Sequence, residues 1–167
     1  MMRQKRRVYP LEQVDFQFMV DRYVNKAQTS VGTIEGIYSV SSVVIKKGKS
    51  FTGQEKEKIK DQEEHYSKVA IIRDDRSADR EYIEVSLNKQ YMPTYSVIGE
   101  FKELAESSLL MYKHFESRGR STSFTFSYDK AKDILEGVRT ENSNNSTVTY
   151  KLTYVKLEPK ATRNLNY

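Results

Sequence analysis

From Tyr66 onward, short segments of alternating apolar and polar residues follow one another with only polar turns between them. Parallel strands need a crossover of roughly a dozen or more residues, and no connection here has that length. Antiparallel pairing of sequential neighbours is what such a stretch can form. Period-two reading places strands at 66–73, 82–87, 94–102, 107–115, 121–128, 133–140 and 146–157. An eighth lies upstream at 34–45, IEGIYSVSSVVI, with Ile34, Gly36, Tyr38, Val40 and Val44 on one face and Ser42 its single polar member.

The alternation also predicts which side chains meet the core. Ile83/Val85/Leu87, Tyr95/Val97/Gly99/Phe101, Thr122/Phe124/Phe126/Tyr128 and Val148/Tyr150/Leu152/Tyr154 each form one face, with more polar neighbours opposite. A chain of 167 residues with 12 Tyr, 7 Phe and no Trp is about one domain long and rich in strand-favouring aromatics. The expected fold is all-β, an eight-stranded antiparallel up-and-down barrel, because closure removes the exposed edges an open sheet must protect. An eight-stranded sandwich is the alternative, and the meander order favours the barrel.

Two segments flank this pattern. Leu11, Val14 and Phe18, with Phe16, Met19, Val20, Tyr23 and Val24, fall at helical spacing behind Pro10, which predicts a helix over 10–27 after a basic tail. Its wide apolar stripe needs a surface to pack on. After the first strand, Thr52 and Glu55 fit a capping box, and KEKIKDQEEHY (56–66) is charged nearly all round. That predicts a charged helical insertion or long loop, placed to act as a flap or as a plain exposed excursion. The expected division is 1–30 for tail and helix, 31–160 for the barrel and 161–167 for a C-terminal tail.

The formal charge is +5, concentrated in Arg3, Lys5, Arg6, Arg7 and the lysine-rich loop Lys46, Lys47, Lys49. The remaining body is near neutral and lacks the basic face of a nucleic-acid binder, so no nucleic-acid partner is expected. There is no Cys, and no apolar run approaches the ~20 residues of a membrane-spanning helix. The positive N-terminus is followed by no apolar signal-peptide core, which fits a cytosolic protein or a mature or excised piece of a longer one.

No nucleophile elbow, P-loop, dinucleotide fingerprint or zinc-protease helix is present, and neither enzymatic activity nor a cofactor is expected. The two histidines are weak candidates. His65, beside Glu63 and Glu64, would need further ligands to bind a metal, so no metal site is assigned. His114 is in phase with Leu110 and Tyr112 and reads as a hydrogen-bonded or surface residue before a catalytic base. Asp74 and Asp75, between Arg73 and Arg76, read as a solvated turn.

Gly36-Ile37-Tyr38, following a predicted helix and preceding a long first connection, resembles the lipocalin Gly-x-Trp opening, with Tyr38 where lipocalins carry Trp. More of the chain, about residues 30–160, resembles lipocalin-like domains of uncharacterised exported bacterial proteins. The likeness rests on the Glu35–Tyr38 opening and on the final hairpin LEGVRTE…STVTYKLTYVKLEPK, from Leu135 to Lys160. It implies an extracytoplasmic β-barrel, periplasmic or secreted, often joined to other domains and without established catalytic residues.

The inward aromatics carry the functional reading. Tyr38, Tyr95, Phe101, Phe124, Phe126, Tyr150 and Tyr154 would point into an eight-stranded barrel, whose interior either fills with side chains or holds one small ligand. The expected function is a non-enzymatic binding or accessory domain, with a small apolar ligand held among Tyr38, Tyr95, Phe101, Phe126, Tyr150 and Tyr154. The alternative is a structural or protein-interaction module with a filled core, meeting its partner through the N-terminal helix and the outer face.

Overall fold

The computed structural model describes residues 33–74, 78–87, 93–105 and 108–157, and for 93–96 it describes the backbone alone. The helix expected at 10–27 and both expected tails lie outside the described residues. Eight strands follow in chain order: β1 (Gly36–Lys49), β2 (Glu55–Arg73), β3 (Tyr82–Leu87), β4 (Pro93–Glu103), β5 (Leu109–Phe115), β6 (Ser121–Asp129), β7 (Ile134–Ser143) and β8 (Ser146–Lys156). Each pairs antiparallel with the next, and β8 returns to β1 through Val40↔Tyr154 and Val44↔Tyr150, closing an up-and-down barrel. The only helical element among the described residues is the 3-10 turn Ser117–Gly119, and none is long and apolar enough to cross a membrane.

The charged stretch expected as a helical insertion is instead the first part of β2. β1 runs on to Lys49, and its backbone groups there need partners. A turn with Gly53 at φ 77° brings the chain back to supply them. Lys47 then faces Glu57, Lys49 faces Glu55, Ile45 faces Ile59, and Lys47 Nζ lies 3.2 Å from Glu55. The alternating signs of Glu55, Lys56, Glu57 and Lys58 thus serve a strand, and cross-strand pairs outweigh the local capping signal. Where β2 carries extra residues opposite Ser41, His65 takes φ 48°. Its ring Nδ1 lies 2.8 Å from Ser39 Oγ and its N–H donates to Ser41 Oγ at 3.0 Å, so His65 pins a bulge.

Inside the barrel the end where β1 begins is filled. Tyr38, Ile71, Phe101, Phe126 and Leu135 are each 0% exposed and pack with Ile34, Leu110 and Tyr82. Residues 33–34 lie at this end: Tyr38 Oη donates to the Ile34 carbonyl at 2.7 Å, and Tyr128 Oη and Lys156 Nζ both donate to the Thr33 carbonyl. Phe126 stands opposite Gly137, and a Cβ there would lie 2.3 Å from the Phe126 ring. Gly137→Ala should therefore cost about 1–3 kcal/mol by overpacking. Urea denaturation checks this, and a loss no greater than that of an exposed alanine substitution would remove the packing account.

Two sequence expectations about faces are corrected. Ile83, Val85 and Leu87 do not face the lumen: with Ala70 and Ile72 they form a second buried cluster on the outer side, joined by Ile37 and Val97. The lumen receives Tyr82 and Glu84, because β2 alternates Val69 and Ile71 inward and β3 is registered to it through Ile71↔Glu84. On β4 the alternation breaks at a bulge. Glu84 pairs with Gly99 but Val85 with Val97, so Ile98 joins the inner cluster and Val97 the outer one. Asp74, expected in a solvated turn, is buried and accepts from Arg80 Nε at 2.9 Å; the backbone bond from Asp74 N–H to Glu81 folds the connection onto it.

Candidate functional site

Among the described residues the other half of the barrel, toward the β5–β6 and β7–β8 turns, is open. A cavity of about 330 Å³ lies there, walled by Tyr66, Ile98, Phe124, Tyr150 and Leu152, with Glu116 and Arg139 also among its lining residues. Its floor is the upper surface of the aromatic core. There the inward residues of β3, β5 and β8 converge, and they are polar: Glu84, Tyr112, His114 and Tyr154.

Glu84 is the centre of this group and is 1% exposed. Tyr154 Oη donates to its Oε1 at 2.7 Å, and Tyr112 Oη donates to its Oε2. Tyr112 Oη also lies 2.9 Å from His114 Nδ1. With the phenol proton given to Glu84, that nitrogen is the donor, which fixes the ring as its Nδ1–H form and leaves Nε2 an acceptor. The Tyr112 ring lies against Gly99, where a Cβ would fall 2.4 Å from the ring and 2.8 Å from the Glu84 carboxylate. A glycine is what allows the phenol to reach Glu84.

Burial governs the electrostatics. It pushes the Glu84 carboxyl from 4.5 up to about 7, against the two phenol hydrogen bonds that pull it down. The Tyr112 and Tyr154 phenols are raised, first by burial and then by the nearby Glu84. Burial lowers His114, so its ring stays neutral near pH 7. Among the described residues no Lys or Arg forms an ion pair with Glu84. Arg139 is held by Glu141 at 2.5 Å and lies over the Tyr150 ring.

The aromatic residues singled out from sequence divide between core and cavity. Tyr150 and Tyr154 line the cavity, as does Phe124. Tyr38, Phe101 and Phe126 point inward but lie in the filled half. Tyr95 is on β4, and its side chain is outside the described ones. Sequence reading missed Glu84, hidden in a six-residue strand whose other face is the more apolar. The available signal was that Tyr82, Glu84 and Ser86 share a face. His114 is hydrogen-bonded to Tyr112, in line with the reading given to it. Among the described residues no group of three or more His, Asp or Glu side chains is placed to hold a metal ion. Comparison with protein-family models, with curated proteins and with solved structures gives no match.

Proposed function

We propose that the chain is a non-enzymatic, lipocalin-like binding module that holds one small ligand in the open half of its barrel. The observation that carries this reading is the division of the lumen. One half is packed solid by rings, while the other keeps about 330 Å³ lined by apolar walls and a few convergent polar groups. Small-molecule sites have this make-up and begin at about this volume. The closed meander and the place of Gly36 and Tyr38 at the start of its first strand support the lipocalin-like likeness.

Leu152, half-buried on the cavity wall, is the residue with which to fill the space. Leu152→Trp should abolish ligand retention while changing stability by less than about 1.5 kcal/mol, since the added ring enters open volume. Native mass spectrometry of protein purified gently from its natural source reads the outcome. An adduct on the wild-type chain that is lost on denaturation and absent from the variant supports the module. A wild-type chain with no adduct, or one that L152W retains, overturns the reading.

One observation favours the second reading, an interaction module. Among the described residues β2 pairs with β3 only from Lys68 onward, so the outer edge of Glu55–Ser67 is unpaired, and its residues through Tyr66 are exposed. An unpaired edge is a template for strand addition by a partner.

A further inference from the structure

The floor of the cavity is made of acceptors. Both phenol protons, from Tyr112 and Tyr154, are spent on the two oxygens of Glu84, and the His114 Nδ1–H is spent on Tyr112. What remains for a ligand is the second lone pairs of the carboxylate and His114 Nε2. With Glu84 ionised, none of these can donate. A ligand whose polar end only accepts, such as a ketone or an ester, would leave them unpaired in a buried place, which disfavours binding.

Charge points the same way. Glu84 is a buried carboxylate that no cation of the described residues pairs with. The charged groups near it on the cavity lining are Glu116, which accepts from Thr122 at 2.6 Å, and Arg139, whose charge is met by Glu141. An anionic head group, including a fatty acid carboxylate, would face Glu84, and the arginine on the lining, Arg139, is already paired with Glu141. The walls add the aromatic rings of Tyr66 and Phe124 above the floor, and Tyr150 already carries the Arg139 guanidinium over its ring at 5.5 Å, a place where a cation is attracted.

We propose that the cavity binds an organic amine, with its protonated amino group seated on Glu84 and a compact apolar or aromatic body against Phe124, Tyr150 and Leu152. An ammonium brings three donors to a floor that has only acceptors, and it brings the counter-charge that Glu84 lacks. The volume suits a body of one or two rings and excludes a long alkyl chain lying wholly inside. This proposal rests on the reading of the cavity as a ligand site.

The test uses the full chain and three probes of one shape: 2-phenylethylamine, 2-phenylethanol and 3-phenylpropionate. Calorimetric titration at pH 8 keeps Glu84 ionised, since burial lifts it only to about 7. The amine should bind about tenfold or more tightly than the alcohol, and the carboxylate most weakly. Glu84→Gln should bring the amine down to the level of the alcohol, in a variant whose unfolding stays cooperative. An alcohol or carboxylate that binds as well as the amine overturns the assignment to amines and leaves the binding module standing. If E84Q retains the amine preference, the role of Glu84 is overturned. If none of the three binds, the amine assignment falls, and the native mass comparison decides separately whether the module reading falls with it.

Discussion

Replacing Phe126 with alanine should cost about 3–5 kcal/mol. Its ring is fully buried and stands edge-on to Phe101 at 5.3 Å, Tyr112 at 5.1 Å and Tyr154 at 5.3 Å. Each such pair adds about 0.5–1.5 kcal/mol beyond the area it buries. The neighbours sit on β4, β5 and β8, so the hole cannot close without moving three strands that hydrogen bonds hold in register. A domain of this size has about 5–15 kcal/mol of stability in all, so the variant would sit near its folding threshold. Phe124 is the control. It is only half-buried and looks into the cavity, where its removal enlarges an existing space. Urea unfolding of the two alanine variants should rank F126A well below F124A. Equal losses, or a cost under about 1 kcal/mol for F126A, would mean that Phe126 is not the centre of the core.

The place of Phe126 was legible in the sequence because β6 obeys strict alternation, and so does β8 from Val148 to Tyr154. The closed meander was legible for a related reason: its connections are too short for any topology but sequential antiparallel pairing. The misreadings fall where one local rule meets a tertiary constraint. Glu55–Tyr66 satisfies a capping pattern, yet the lysines of β1 offer it a paired strand, and pairing across the hairpin prevails. β3 carries apolar residues on both faces, and the stronger stripe belongs to the outer cluster, so a rule of apolar inside assigns it backwards. The bulge at Ile98 then shifts the phase of β4, which no composition signal marks. The site was hidden by the same error. Once Ile83, Val85 and Leu87 are assigned to the lumen, Glu84 is assigned to solvent, and the one buried acid of the cavity floor disappears from view.

That acid should also set the pH dependence of stability. In the unfolded chain Glu84 releases its proton near 4.5, whereas in the barrel burial holds it to about 7. Between these values the folded state keeps a proton that the unfolded state has lost, so stability falls as pH rises. The contribution is fully present below about 4.5 and gone above about 7. At about 1.4 kcal/mol per pH unit, the window amounts to something on the order of 3 kcal/mol. His114 opposes this over a narrower range. Burial lowers it from 6.5, so the unfolded chain binds its proton first and stability rises with pH there. The other groups around Glu84 are Tyr66, Tyr112 and Tyr154, which burial raises above the ordinary tyrosine value and which stay neutral throughout. Glu84→Gln isolates the carboxyl, since an amide can accept from one phenol and donate to the other. Denaturation series between about pH 3.5 and 8 should show the wild type losing stability relative to E84Q as pH rises. The difference should level off below about 4.5 and grow through the approach to neutrality. Parallel curves would show that Glu84 titrates alike in both states, and that the floor of the cavity is wetter than its burial indicates.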